Sequence, residues 1–147
     1  MSETADEHLF RMRLSCTYAD PDNSVAGLGV ELLGKDGWEP FELGTGTAGF
    51  LIFVYAVFNC QHMYMRLNCA ERGLLLESAS GSILVRASAD WVVRQLHIGF
   101  TGTLKSGTPT QDDLDYIIDR MKHCPVSTNL KEAPDTRTTL ELGQPGR

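Results

Sequence analysis

The most regular pattern in the chain is the alternation of apolar and polar residues from His8 to Tyr18. A period of two is typical of a half-buried β-strand, because successive side chains point to opposite faces of the sheet. The turn at 21–23 and the stretch from Val25 to Leu33 predict the return strand of a hairpin. A second turn at 34–37 leads into a short strand around Trp38 to Leu43. The chain is therefore predicted to open with three strands in a meander.

A different pattern begins after the glycine-rich segment at 44–49. The stretch from Phe50 to Phe58 is apolar all round and rich in β-branched and aromatic residues. The continuation to Arg72 contains neither Gly nor Pro and is followed by Gly73, a typical residue just beyond a helix end. We predict one long helix over this region, buried in its first half because it lacks a polar face there.

Two strands, a helix and a final strand are predicted in the second half of the chain. The strands run from Leu74 to Arg86 and from Trp91 to Leu104. A helix begins at Thr110, which is followed by acidic residues in the first turn. Its buried stripe consists of apolar residues at helical spacing, namely Leu114, Ile117, Ile118 and Met121. A short helical piece and a last strand from Thr136 to Leu142 follow.

This order of elements predicts an α+β protein, with antiparallel sheets packed around a long central helix and a second helix. A chain of 147 residues suits one domain with its own core. We therefore expect a single domain over residues 1–147, with residues 1–7 and 143–147 loose. Apolar residues make up 42% of the chain and charged residues 22%, which is ordinary for a globular protein.

The charge pattern narrows the classes of partner. Thirteen basic and nineteen acidic residues give a net charge of −6, and the basic residues are scattered. This distribution offers no footprint for nucleic acid. The longest apolar run, at 49–58, is about half the length of a membrane span. The acidic start lacks the apolar segment of a secretory signal, so we expect a cytosolic protein without a nucleic-acid or membrane partner.

Four cysteines are the main candidates for chemistry. In a cytosolic chain they favour redox chemistry, metal binding or packing over structural disulfides. Cys124 precedes Pro125, which suits a first helical position. Cys124 would then cap that helix, and backbone N–H groups near its sulfur would favour the nucleophilic thiolate. Cys60, in the middle of the apolar helix, is by itself typical of packing, and we interpret Cys16 and Cys69 as packing residues.

Two other motifs indicate different chemistry, a zinc site and a dinucleotide-binding loop. Cys60, His62, His123 and Cys124 are of the types that bind zinc. On one helix, however, Cys60 and His62 point about 200° apart, so both cannot face one metal, and we predict no metal or cofactor. His123 either supports a Cys124 thiolate or is a solvated residue at a helix end. The spacing of the glycines at 44–49 matches a dinucleotide fingerprint, but the neighbouring strands look antiparallel, which favours a plain loop.

The arrangement as a whole resembles the OsmC/Ohr family, the osmotically inducible and organic-hydroperoxide-resistance proteins of bacteria. A cysteine in a central apolar helix is followed by two strands, a helix ending in His-Cys-Pro-Val-Ser, and a terminal strand. The resemblance covers roughly Val25 to Leu142. It is most specific at residues 123–130, with the sequence His-Cys-Pro-Val-Ser-Thr-Asn-Leu, and is supported by the spacing back to Cys60.

The resemblance implies a thiol peroxidase that reduces organic hydroperoxides. Cys60 would attack the peroxide and become a sulfenic acid, and Cys124 would condense with it to a disulfide. A dithiol of the dihydrolipoyl type would then reopen the disulfide. The chemistry needs both thiols, because a sulfenic acid stays reversible when a second thiol traps it. The local capping argument instead makes Cys124 the more acidic thiol, and the order of the two pKa values is left open.

The family fold is an intertwined homodimer with the site at the subunit interface. The resemblance therefore implies an apolar substrate pocket at that interface. The candidate lining residues are the large apolar and aromatic residues of the long helix, namely Phe50, Phe53, Tyr64 and Leu67.

The chain also departs from the family pattern. Ohr enzymes activate the attacking thiol with an Arg in the early strands and a Glu ten residues before the first cysteine, where this chain has Phe50. Arg11 and Arg13, on the outward face of the first strand, are candidate supporting residues together with His123. Losing an Arg–Glu pair is expected to slow the attack on peroxide.

These departures place the chain in a divergent OsmC-like branch and leave two hypotheses. One is a thiol peroxidase with a Cys60–Cys124 cycle. The other is a non-catalytic protein of the same fold that binds a small lipophilic ligand at the dimer interface. Glu39 and Glu42 could replace the missing acid, but their pattern favours surface carboxylates.

Overall fold

A computed structural model describes residues 7–130 and 132–144 of the chain. Within these residues the chain forms six strands, two α-helices and a short 3₁₀ helix. In chain order they are β1 (His8–Ala19), β2 (Ser24–Gly34), β3 (Gly37–Pro40), α1 (Gly49–Glu71), β4 (Leu75–Ala87), β5 (Val93–Ser106), α2 (Gln111–Lys122), the 3₁₀ helix (Ser127–Leu130) and β6 (Asp135–Gly143). The predicted α+β class and order of elements are confirmed.

The predictions for the chain ends fall mostly outside this description. Residues 1–6 and 145–147 lie outside the described residues. Glu7 is described and contacts Arg86 across 3.6 Å, and Gly143 is the last residue of β6.

The strands form one sheet in the order β3-β2-β1-β4-β5-β6. All neighbouring pairs are antiparallel except β5 and β6, which are parallel. The expectation of purely antiparallel sheets is therefore wrong in this detail. The reason lies in the connection: α2 carries the chain back across the sheet between β5 and β6, as parallel neighbours require.

The alternation in β1 separates the two faces of the sheet as predicted. One set of side chains is buried beneath the helices, namely Met12, Leu14, Cys16 and Tyr18. The other set faces away from the helices and is exposed, namely Arg11, Arg13, Ser15 and Thr17. The core of the protein therefore lies on one side of the sheet, between its inner face and the helices.

Helix α1 supplies much of that core. Val54, Val57, Phe58 and Met65 are fully buried against the sheet. The helix ends before Gly73, which adopts a left-handed φ of 74° that only glycine enters easily. The predicted glycine end is confirmed. No helix in the described part of the chain is long and apolar enough to cross a membrane.

Helix α2 lies beside α1 and is fixed at its start by a capping box. The Thr110 hydroxyl accepts from the backbone N–H of Asp113 at 3.1 Å, and the Asp113 carboxylate accepts from the backbone N–H of Thr110 at 2.9 Å. Ile117 and Met121 are buried toward the core. Because these residues fix the rotation of α2, they also fix the position of Cys124, which follows the helix end.

A close approach between sheet and helix occurs at Gly81 in β4. A Cβ atom at this position would lie 2.6 Å from the Phe100 ring. The absent side chain lets Phe100 stack on Phe58 of α1, with ring centroids 5.7 Å apart. The middle of α1, where Cys60 lies, is thereby held close to the sheet.

Candidate two-cysteine site

Two cysteines far apart in sequence meet between α1 and the end of α2. Cys60 lies in the middle of α1 and Cys124 lies two residues after α2. Cys60 is 9% exposed and Cys124 is 0% exposed. The Cys124 thiol lies close enough to Cys60 to raise the pKa of Cys60, and both cysteines are free. The two candidate catalytic residues are therefore brought together, in a nearly dry environment.

The sulfur of Cys124 is held by Ser127. The backbone N–H of Ser127 donates to Cys124 Sγ at 3.3 Å, and the Cys124 thiol donates to Ser127 Oγ at 3.2 Å. The carbonyl of Cys124 accepts from the N–H of Thr128 at 3.0 Å. A backbone N–H therefore reaches the Cys124 sulfur as predicted. The helix that follows is a 3₁₀ helix and begins at Ser127, so Pro125 is not its first residue.

Two further side chains fix Ser127. Gln61 Nε2 donates to Ser127 Oγ at 2.9 Å, and the Thr138 hydroxyl donates to Gln61 Oε1 at 3.2 Å. Gln61 is buried and directly follows Cys60 in α1. The sequence patterns did not indicate Gln61, Ser127 or Thr138 as site residues. The available signal was a short polar run around Cys60, formed by Asn59, Gln61 and His62, in the middle of a largely apolar helix.

The surroundings of Cys60 disfavour its thiolate. Burial raises the pKa of Cys60 to about 11, and the hydrogen bond with the Cys124 thiol acts in the same direction. The backbone N–H of Val126 acts in the opposite direction and lowers the pKa of Cys60. Within the described residues, the groups that set this pKa include neither an arginine nor a glutamate.

The candidate supporting arginines lie elsewhere. Arg11 and Arg13 are on the outer face of β1, across the sheet from α1. Arg13 Nε lies 2.6 Å from Glu31 Oε1, and its guanidinium lies 4.3 Å from the centroid of the Trp38 ring. The structure therefore does not bring either arginine to the two cysteines.

His123, although adjacent to Cys124 in sequence, turns away from it. Its side chain is 66% exposed, and Nδ1 lies 2.8 Å from the Asp119 carbonyl oxygen and 3.6 Å from the Asp119 carboxylate. The local geometry matches a solvated residue at a helix end.

The candidate pocket residues form two groups on either side of Cys60. Phe50 and Phe53 lie in the first turns of α1, and Phe50 packs on Phe10 and Trp91 with ring centroids 5.0 and 5.1 Å away. The Tyr64 ring lies under the guanidinium of Arg120, and Leu67 is exposed. At 1.5 Å per residue, Phe50 and Leu67 are roughly 25 Å apart along the helix. The four residues do not meet within one chain.

His62 faces the opposite side of α1 from Cys60. Its Nε2 lies 2.7 Å from the Tyr18 hydroxyl, and its ring stacks on Phe100 with centroids 5.6 Å apart. Burial lowers the pKa of His62 to about 4, and the nearby positive charge of Arg66 adds to this effect. His62 therefore stays neutral in the folded protein and connects α1 to β1.

A cavity of about 290 Å³ opens beside the cysteine pair, between the end of α2, the 3₁₀ helix and strands β5 and β6. Its lining combines polar, apolar and basic side chains, including Gln61, Ser127, Leu96, Leu130, Lys122 and His123. Ser127 lines the cavity and contacts Cys124 directly, so the Ser127 side chain separates the cavity from the Cys124 thiol.

The chain thus belongs to the class of α+β proteins in which a central helix and a second helix bring two cysteines together on one face of a sheet. No protein-family model and no curated protein sequence matches it. Solved structures do. An OsmC-like hydroperoxide resistance protein from Jannaschia sp. CCS1 superposes with a TM-score of 0.56 at 17% identity, over 85% of this chain and 88% of that one. An OsmC-like protein from Mycoplasma pneumoniae matches with a TM-score of 0.50 at 10% identity, over 89% and 95% of the two chains.

These matches show that the chain has the OsmC-like fold. The resemblance to the OsmC/Ohr family that the sequence indicated is confirmed at the level of the fold, across nearly the whole length of both solved relatives.

The buried His62 predicts a loss of stability in mild acid. The unfolded chain binds a proton at His62 below about pH 6.5, whereas the folded chain binds it only near pH 4. The free energy of unfolding should therefore fall between pH 6.5 and 4, by up to roughly 3 kcal/mol from this group. Urea unfolding at several pH values measures the slope. His62→Gln should flatten it, while His123→Gln, at an exposed position, should leave it as in the wild type; an unchanged slope in His62→Gln would contradict this assignment.

Proposed function

We propose that this protein is a thiol peroxidase that reduces organic hydroperoxides through a cycle of Cys60 and Cys124. The observation that carries the proposal is the proximity of these two thiols, which are 64 positions apart in the sequence. Gln61, the residue after Cys60, hydrogen-bonds to Ser127, which in turn contacts Cys124 Sγ, and the Cys124 thiol raises the pKa of Cys60. The OsmC-like fold supports it, since a protein of this fold is described as a hydroperoxide resistance protein.

The proposed cycle uses each thiol once. The Cys60 thiolate attacks the terminal oxygen of the hydroperoxide, the O–O bond breaks, and the alkoxide takes a proton to leave as an alcohol. Cys60 is then a sulfenic acid. Cys124 attacks the Cys60 sulfur, the S–O bond breaks, and hydroxide leaves as water with the proton of Cys124. The two thiols supply the two electrons, and the slightly greater exposure of Cys60 fits its role as the first attacker.

Regeneration requires a dithiol, which we propose to be of the dihydrolipoyl type. Thiol–disulfide exchange with such a dithiol returns both cysteines without a bound cofactor. The four free cysteines support a reducing compartment, and we therefore propose a cytosolic location.

The high pKa of Cys60 sets the expected speed of the first step. Only the thiolate attacks, and burial keeps most of Cys60 as a thiol at neutral pH. The attack should therefore be slow near pH 7 and accelerate with rising pH. This behaviour fits a divergent member of the family without the activating Arg–Glu pair.

We also propose a homodimer, in which α1 packs on α1 of a second copy. Three apolar side chains, Ile52, Met63 and Leu67, are exposed along one side of α1, with spacings of 11 and 4 residues that keep them on one stripe. Ala56 and Asn59 lie between them on the same stripe. Apolar stripes of this kind are typical of interfaces.

A two-fold axis through this stripe would also complete the candidate pocket. Such an axis runs the two helices antiparallel, so that the Phe50 and Phe53 end of one copy meets the Tyr64 and Leu67 end of the other. The two groups that lie apart in one chain would then line one apolar pocket at the interface. The proposed preference for organic hydroperoxides over hydrogen peroxide follows from this pocket.

The cycle is tested by adding cumene hydroperoxide to the reduced protein. We expect the loss of two free thiols per chain and a Cys60–Cys124 disulfide by mass spectrometry. Cys60→Ser should abolish peroxide consumption, and Cys124→Ser should leave a sulfenic acid on Cys60 that dimedone traps. Cys69→Ser, at a buried cysteine away from the pair, serves as the matched control and should behave as the wild type. Initial rates should rise steeply from pH 7 to 9.

Unchanged thiols at millimolar peroxide would contradict the cycle and leave the hypothesis of a non-catalytic protein that binds a small lipophilic ligand. Dimedone labelling of Cys124 in the Cys60→Ser variant would reverse the two roles.

The dimer is tested by sedimentation velocity on the wild type and on Met63→Glu. The wild type should sediment as a dimer, and the charge placed in the stripe should weaken association at least tenfold, or about 1.4 kcal/mol. Val92→Glu, at an exposed apolar residue outside α1, should leave the dimer intact. A monomeric wild type, or a dimer unaffected by Met63→Glu, would contradict packing through α1.

A further inference from the structure

Ser127 makes contacts that the two-cysteine cycle alone does not explain. Its backbone N–H and its hydroxyl both contact Cys124 Sγ, at 3.3 and 3.2 Å. Its hydroxyl oxygen also accepts from Gln61 Nε2, and Gln61 is in turn fixed by Thr138. A chain of hydrogen bonds thus runs from Thr138 of β6 through Gln61 of α1 to Ser127, which contacts the Cys124 sulfur.

We propose that Ser127 activates the Cys124 thiol for the resolving step, and that Gln61 acts as a positioning residue that orients Ser127. This inference rests on the proposed function. It assigns Ser127 a role at the reacting sulfur and Gln61 a role exerted through Ser127.

The chemistry of the resolving step requires such a group. Cys124 must lose its proton as its sulfur bonds to Cys60, while the hydroxide that leaves Cys60 must gain one. In the reduced protein the Ser127 oxygen accepts the Cys124 S–H. When that proton passes to the leaving hydroxide and forms water, the Ser127 hydroxyl can rotate and donate to the sulfur. Hydrogen bonds to an ionised sulfur are stronger than neutral ones, so the developing thiolate is stabilised.

Gln61 determines the orientation of the Ser127 hydroxyl group. The hydrogen bond from Thr138 to Gln61 Oε1 turns the amide NH₂ group toward Ser127. The amide then occupies one lone pair of the Ser127 oxygen and leaves the hydroxyl hydrogen free to point at Cys124. Because Gln61 follows Cys60 directly, the same side chain holds the Cys124 segment against the helix that carries the other thiol.

A single-turnover experiment on the full-length protein tests the inference. Ser127→Ala should react with cumene hydroperoxide at the wild-type rate but form the Cys60–Cys124 disulfide at least tenfold more slowly. Sulfenic acid on Cys60 should accumulate and be trapped by dimedone. Gln61→Leu should slow the disulfide step severalfold, and Ser127→Thr, which keeps the hydroxyl, should restore most of the rate. Thr128→Ala, which also lines the cavity without a side-chain contact to either thiol, is the matched control.

A second readout does not depend on peroxide. The thiol reagent 5,5′-dithiobis(2-nitrobenzoate) forms a mixed disulfide with Cys60 and releases one thionitrobenzoate. Attack by Cys124 then releases a second one and forms the intramolecular disulfide. Ser127→Ala should slow only the second release, by at least tenfold, even if the protein proves inactive toward hydroperoxides.

Two results would overturn the inference. One is a second release from Ser127→Ala at the wild-type rate. The other is an equal slowing of both releases together with a lowered melting temperature, because this would show that Ser127 only supports the structure. Failure of the wild type to consume peroxide, with a normal second release, would instead contradict the proposed function and leave the role of Ser127 at Cys124 intact.

Discussion

The contact between Cys60 and Cys124 depends on α1 and α2 lying side by side on the same face of one sheet. Phe100 and Gly81 hold the middle of α1 close to the sheet, and the buried residues of α2 fix the rotation of the second helix. The segment after α2 is then tied to α1 by the hydrogen bond from Gln61 to Ser127. Without these constraints, the fold would not bring together two thiols that are more than sixty residues apart in the sequence.

The same packing that brings the thiols together also removes them from water. Burial favours the neutral thiol, and at Cys60 it outweighs the one backbone N–H that favours the thiolate. Arg11 and Arg13 lie across the sheet and do not offset this effect. The polar groups that this site does provide are concentrated on Cys124. This distribution supports both the proposed slow attack by Cys60 and the proposed role of Ser127 in the resolving step.

Much of the fold follows from local patterns, whereas parts of the site do not. The alternation in β1 predicted a strand, and the glycine after α1 predicted the end of the helix. Both signals are local, because side-chain alternation and the backbone freedom of glycine depend only on a few neighbouring residues. The parallel pairing of β6 was missed, since no local pattern distinguishes it from an antiparallel strand. Gln61 and Thr138 were missed for a related reason: a polar side chain joins a site through contacts that only the folded chain creates. Phe50 and Leu67 suit one pocket by residue type, yet helix length separates them within one chain.

The central claim is that Cys60 and Cys124 form one redox pair, and equilibration in glutathione buffers of increasing oxidising strength tests it most directly. Peptide mapping at each potential should show a single two-electron transition to an intramolecular Cys60–Cys124 disulfide, with Cys16 and Cys69 still reduced. Separate glutathione adducts on Cys60 and Cys124, or a disulfide that joins either of them to Cys16 or Cys69, would contradict the account.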